Sequence, residues 1–290
     1  MEPYPFEKKQ IELDSGTVTY VTVGDPSRPP LLFLHNGGGD HRCWAHQLQS
    51  LHSEFYCVAI DLPGFGESSR VDTVYTVEWL ADQVLAFIKA YFSRTHPPVA
   101  ISVVGHCIGA ATALEMATRS PETFSKISLV NICAGQPGMG SAVRSFYRWM
   151  PKNRTVLSVL FQVFGFVFQS RVLQQTSLRQ LFRIPDPEKN PCVFYEAHVS
   201  AKKNQFINRQ NLIAGMKSFE KYAHKFDRSL LTHPIQVIWG RHNEVMTPEF
   251  GQKLSQYLKA PLYWMESSKH MPMSEQPQEF NELLIRFHKS

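Results

Sequence analysis

The chain has 290 residues, 43% hydrophobic and 19% charged, with a formal net charge of +5. These proportions exclude a disordered or collagen-like chain, and so small a positive excess gives no ground for nucleic-acid binding. Five cysteines without a close CxxC pair and a polar start, "MEPYPFEKKQ", point to a reducing, cytoplasmic interior, and no run reaches the roughly 18 apolar residues of a membrane span.

In chain order, "PPLLFLHNGG" (29–38) is a short apolar run stopped by glycines, which predicts a buried strand feeding a loop. "FYCVAIDLPGFGESS" (55–69) repeats the pattern with a Pro-Gly turn, and "TVYTVEWLADQVLAFIKAYF" (73–92) has apolar residues at helical spacing. "VAISVVGHCIGAATALEMATRS" (99–120) reads as strand, two-glycine turn and helix, and "KISLVNICAG" (126–135) as another buried strand. Buried strands alternating with helices predict a parallel sheet covered on both faces.

The alternation stops for about a hundred residues of helical pattern and then returns. "HPIQVIWGRHN" (233–243) is a strand, "TPEFGQKLSQYL" (247–258) a helix opened by Thr and Pro, "APLYWMESSKH" (260–270) a strand and "EQPQEFNELLIRFH" (275–288) the closing helix. The predicted organisation is a core in two parts, 1–134 and 231–290, with a helical cap over 135–230.

Gly105-His106-Cys107-Ile108-Gly109 fits the elbow pattern G-x-nucleophile-x-G between a strand and a helix. A sharp strand-to-helix turn strains the middle residue and needs small neighbours. It also sets Cys107 at a helix N-terminus, where free N–H groups stabilise a thiolate. On the pattern alone, a close-packed junction holding an inert cysteine is an equally good reading. Three further stretches favour chemistry.

The run "LFLHNGGGDHRCW" places glycine N–H groups after a strand that should neighbour the elbow, so Gly37 and Ile108 are the expected oxyanion donors. In "ESSKHMPMSEQPQEF", His270 follows the last strand on a loop at the carboxyl edge of the sheet and is the expected base. In "IWGRHNEVMTP", Asn243 or Glu244 stands where an acid would orient that base, and Asn131 occupies the other strand end where an acid is sometimes placed. The expected substrate contacts are His35, Asn36, His106, Asn131, Trp149, Phe161 and Phe164, with His106 more a shaper of the pocket than a ligand. His35, His41 and His46 lack the carboxylate or thiolate framework of a zinc site, so neither metal nor cofactor is expected.

"LFLHNGGG", "IDLPGFGESSR", "VVGHCIGAA", "VIWGRHNEVMTP" and "SSKHMPMSEQP" stand in an order that resembles the α/β-hydrolase superfamily, in its capped branch, over nearly the whole chain. The resemblance implies an α/β fold with a mostly parallel central sheet of about eight strands, helices on both faces and a helical cap insertion. It implies a hydrolase of thioesters, esters or lactones, by an acyl-cysteine intermediate that also permits acyl transfer or cyclisation. The alternatives are carbon-carbon bond hydrolysis and a non-catalytic or single-turnover binding protein on the same scaffold. The chain departs from the family at the nucleophile and at the acid. Asn for Asp lowers a serine triad's turnover about ten-thousand-fold, whereas a thiol needs its third residue only to orient the imidazole, as in Cys/His/Asn sites, and can pair with it as thiolate and imidazolium.

From 141 to 183 the chain carries seven Arg and Lys and no Asp or Glu, around the apolar stretch "TVLSVLFQVFGFVFQ" (155–169). A cap helix with solvated basic ends accounts for most of this pattern. The same pattern suits an acyl group on an anionic carrier, such as acyl carrier protein or coenzyme A, or peripheral contact with an anionic membrane. No nucleic-acid-reading module accompanies it.

Overall fold

The computed structural model describes residues 6–95, 100–149, 156, 159, 211–224 and 226–290. Eight strands form one sheet: β1 (Lys8–Leu13), β2 (Gly16–Val23), β3 (Pro30–Leu34), β4 (Tyr56–Ile60), β5 (Ile101–His106), β6 (Phe124–Val130), β7 (Ile235–Gly240) and β8 (Leu262–Met265). Their order is β1-β2-β4-β3-β5-β6-β7-β8, antiparallel in the β1/β2 and β2/β4 pairs and parallel elsewhere.

The parallel strands β3, β4, β5 and β7 are buried at every position, because helices cover both faces. Alternation along β3 divides the core in two. Leu32 and Leu34 face α2 (Val77–Thr95), α3 (Ile108–Arg119) and α5 (Pro248–Leu258), packing with Leu80, Leu114 and Leu254. Leu31 and Phe33 face α1 (Ala45–Leu51) and α6 (Pro277–Lys289), packing with Trp44, Leu48 and Phe280. Each fully buried Leu or Phe contributes about 1.5–3 kcal/mol of transfer free energy. At the start of α5, Thr247 accepts the Phe250 N–H and Pro248 sits in the first turn, as the sequence predicts.

From β3 the chain moves to β4 on one side, then returns past β3 to β5 on the other. The strand order reverses there, so the loops after β3 and β5 face each other across a crevice at the carboxyl edge. Those loops carry Gly37 and Cys107.

Of the expected cap, α4 (Ser141–Trp149) and residues 211–224 are described, while Phe161 and Phe164 lie outside the described residues. Trp149, at the end of α4, is 83% exposed. Tyr222 and Lys221 both bond the Glu115 carboxylate, which fastens this segment to α3. Among the described residues no helix is long and apolar enough to cross a membrane.

Candidate active site

Cys107 stands between β5 and α3 with φ 54° and ψ −112°, a left-handed conformation that costs a non-glycine residue on the order of 1–3 kcal/mol. The flanking glycines serve close approach. A Cβ on Gly105 would lie 2.5 Å from the Gly109 carbonyl oxygen, and one on Gly109 would lie 2.3 Å from that of Leu34. Any side chain at either place would push the helix off the sheet. The Cys107 N–H donates to the Val130 carbonyl (2.9 Å) and its carbonyl accepts the Cys133 N–H (3.0 Å), so the end of β6 and the segment just after it hold the strained turn on both sides.

The backbone N–H groups of Ile108 and Gly37, the expected oxyanion donors, lie near enough to the Cys107 sulfur to act on its acidity. The neighbouring Cys133 thiol, with burial, holds Cys107 well above the ordinary thiol range against the lowering effect of the two N–H groups. Cys133 is lowered by the same neighbour relationship. The expectation of a preformed thiolate/imidazolium pair is therefore corrected. Cys107 rests as a thiol against Cys133, and no hydrogen bond joins it to His270 among the described residues.

His270 lies on the loop after β8 and is 7% exposed. Its Nδ1 is 3.2 Å from Asn243 Oδ1, which also accepts the N–H groups of Val245 (3.0 Å) and Met246 (3.1 Å). Two backbone donors on that atom identify it as the amide oxygen, so Nδ1 of His270 must carry the proton. Nε2 is left as a lone-pair base, with no partner among the described residues. Burial lowers His270 to about 4, so the ring is neutral at ordinary pH. Glu244 is not the orienting residue. Its side chain is 78% exposed and reaches toward Lys269 Nζ (3.6 Å), away from the imidazole.

The His270 loop is clamped from below. The His270 carbonyl accepts His106 Nε2–H (2.8 Å) and Asn131 Nδ2–H (2.8 Å), while Asn131 Oδ1 accepts the Gly240 N–H (3.1 Å). Gly240 admits the loop because a Cβ there would lie 1.8 Å from the Lys269 carbonyl oxygen. His35 donates Nδ1–H to the Asn36 carbonyl (2.7 Å) and accepts the Leu62 N–H (2.8 Å). The expectation that His35, His106 and Asn131 touch substrate is thus corrected: all three are fully buried, His35 and Asn131 bond backbone through both polar atoms and His106 through Nε2, its Nδ1 having no partner among the described residues, and they position the loops. Asn36 carries the loop turn through its carbonyl, which accepts the Gly38 (2.8 Å) and Gly39 (3.2 Å) N–H groups, and its Oδ1 is buried without a partner among the described residues.

Three supporting residues escape sequence reasoning. Cys133 meets the nucleophile only because β6 lies beside β5. Glu275, pushed up to about 7 by burial, accepts the Lys269 N–H (2.7 Å) and braces the histidine loop. Asp61 accepts the N–H (2.8 Å) and Nδ1–H (2.6 Å) of His41 and the Glu67 N–H (2.8 Å), joining the loops after β3 and β4. Asp40, His41 and Asp61 bring metal-capable atoms within 4.8 Å of one another, but Asp61 is engaged as described and Asp40 by Arg42 (2.9 Å). The signal for Asp61 was the "IDLPGFGESS" motif itself.

The family model "Alpha/beta hydrolase family" matches residues 31–283. The chain is 23% identical over 283 residues, 96% of this chain and 68% of the relative, to the dihydrolipoyllysine-residue acetyltransferase component of the acetoin cleaving system of Pseudomonas putida. It is 25% identical over 260 residues, 89% of this chain and 94% of the relative, to the pimeloyl-[acyl-carrier protein] methyl ester esterase of Vibrio vulnificus. The crystal structure of the enol-lactonase from Burkholderia xenovorans LB400 shares the fold with a TM-score of 0.74 and 20% identity, covering 97% of this chain and all of that one. The chain belongs to the alpha/beta hydrolase family.

Proposed function

We propose that the protein hydrolyses an activated acyl group (a thioester, ester or lactone) through an acyl intermediate on Cys107. One observation carries this reading: Asn243 fixes His270 with Nε2 basic, on the same sheet edge as a thiol faced by two N–H donors.

With substrate bound, the thiol turns from Cys133 to Nε2 of His270 and gives up its proton as sulfur attacks the carbonyl carbon. The carbonyl electrons move onto oxygen, which the N–H groups of Gly37 and Ile108 stabilise. Collapse expels the leaving group, protonated by His270. Water, deprotonated by the same nitrogen, then attacks the thioester, releasing the acid and restoring the thiol. An amine or thiol in place of water gives acyl transfer by the same step. A neutral thiol and a neutral imidazole make this general-base catalysis at the moment of attack, with no resting ion pair.

The likeness to an esterase whose printed substrate is carried on acyl carrier protein, and the one-sign charge from 141 to 183, support an acyl group on an anionic carrier as substrate. Cys43, Cys57, Cys107 and Cys133 stand as thiols and not as disulfides, which suits a reducing, cytoplasmic setting.

A second reading, single-turnover or purely binding, is favoured by the contact of the resting thiol with Cys133 instead of His270. Incubation with short and long acyl thioesters and p-nitrophenyl esters, read by turnover and intact mass, separates the two. Steady turnover that vanishes in Cys107→Ala and falls about 10²–10⁴-fold in His270→Gln supports the hydrolase. An adduct without turnover supports the second reading, and full turnover in Cys107→Ala overturns both.

A further inference from the structure

Cys133 forms and breaks no bond to substrate in the steps above, yet it lies beside the nucleophile. Its backbone N–H donates to the Cys107 carbonyl at 3.0 Å, which sets the two Cα atoms about 5–6 Å apart, inside the span that a disulfide bridges. The two side chains lie in one buried cluster, and the Cys133 thiol is the leading influence on that of Cys107. Cys133 is 1% exposed and its sulfur donates to Met216 Sδ at 3.7 Å, so of the two, Cys107, at 9%, is the more open to an oxidant.

We propose that Cys107 and Cys133 are a redox modification site: a hydroperoxide converts the pair into a reversible disulfide that takes the nucleophile out of action. The chemistry balances with the peroxide as sole oxidant. One sulfur attacks the peroxide, the O–O bond breaks, an S–O bond forms, and the departing oxygen leaves as water or an alcohol with the thiol proton. The second sulfur then displaces hydroxide from the sulfenic acid, and that hydroxide leaves as water with the second thiol's proton. Two thiols and one hydroperoxide give one disulfide, one water and one further water or alcohol. The disulfide itself is independent of the catalytic role proposed for Cys107, whereas the loss of activity rests on that role.

Cys57 supplies an internal control. Its thiol is fully buried, at 0% exposure against 9% for Cys107, and bonds the Phe55 carbonyl at 3.9 Å. It should survive the same treatment unchanged.

The test exposes the full-length, fully reduced chain to hydrogen peroxide, removes the oxidant with catalase, denatures, alkylates and maps peptides by mass. The expected result is that two of the five thiols lose alkylation, Cys107 and Cys133 appear in one cross-linked peptide, Cys57 is alkylated, and dithiothreitol restores both thiols. In Cys133→Ala the expected product is sulfinic or sulfonic acid at Cys107, which dithiothreitol does not reverse. Wild-type protein that accumulates those acids at Cys107 while Cys133 remains alkylated overturns the proposal, whether or not the variant folds. A cross-link alongside full turnover in Cys107→Ala leaves the disulfide standing and removes the catalytic reading. Turnover that requires Cys107 without any cross-link does the reverse.

Discussion

Asn243 Oδ1 sits 3.2 Å from Nδ1 of His270, held by two backbone N–H groups so that it accepts the imidazole proton. The amide orients the ring as a carboxylate would and withholds the charge that would strengthen it as a base. Asn243→Asp supplies that charge. His270 should rise above its present value of about 4, and the acid limb of kcat/KM should move up in pH with it. Turnover at neutral pH should increase by roughly tenfold or more, because a base nearer the operating pH is more effective. A pH–rate profile of wild type and variant checks this, and an unmoved acid limb would deny Asn243 its orienting role.

Stability should fall in mild acid. Burial is the main cause that lowers His35 and His270 to about 4, His288 to about 3 and His106 well below its ordinary value. Each folded value lies below the unfolded one of 6.5, so the unfolded chain binds more protons between them. The stabilisation is complete above pH 6.5 and is lost as pH falls toward 4 and 3. Each ring contributes a slope of up to about 1.4 kcal/mol per pH unit in that window. Urea midpoints at pH 7.5 and 5 measure the total. His288→Gln, which removes the ring that bonds Ser128 Oγ (2.8 Å), should flatten the slope by one proton's share.

Gly109→Ala should damage fold and chemistry together. The new Cβ meets the carbonyl oxygens of Leu34 (2.3 Å) and His35 (2.7 Å), both backbone, so either α3 or the loop after β3 must move. Overpacking of this kind costs about 1–3 kcal/mol. It also draws the Gly37 N–H away from the sulfur. Thermal unfolding with kcat measured on the folded fraction should show both losses, and a fully active variant would mean that the Gly37 donor is dispensable.

Most of the sheet and the reactive edge could be read from the chain because parallel strands covered on both faces are unbroken apolar runs. β1 and β2 went unread for the opposite reason. "KKQIEL" and "GTVTYVTV" lie antiparallel at the sheet margin, with Lys8 and Lys9 exposed, and mix polar with apolar residues. Gly37 and Ile108 could be proposed as donors because a loop after a strand and the first residue of a helix are local features of the chain. Asn243 and Glu244 could not be told apart, since adjacent polar residues on a loop differ only in which one the fold turns inward. Cys133 is 26 residues from Cys107, and its placement follows from the β5/β6 register. His35, His106 and Asn131 were recognised as belonging to the site, but a histidine or asparagine bonded to backbone has the same letter as one awaiting a ligand.

The clamp on the His270 carbonyl has a bearing on how the chain is made. Its two donors lie at the end of β5 and just past the end of β6, whereas the residue they grip stands 164 and 139 residues further along the chain. A polypeptide made only as far as β6 therefore has Cys107 without His270. The chemistry proposed for the sulfur would await the docking of β8 and the loop behind it.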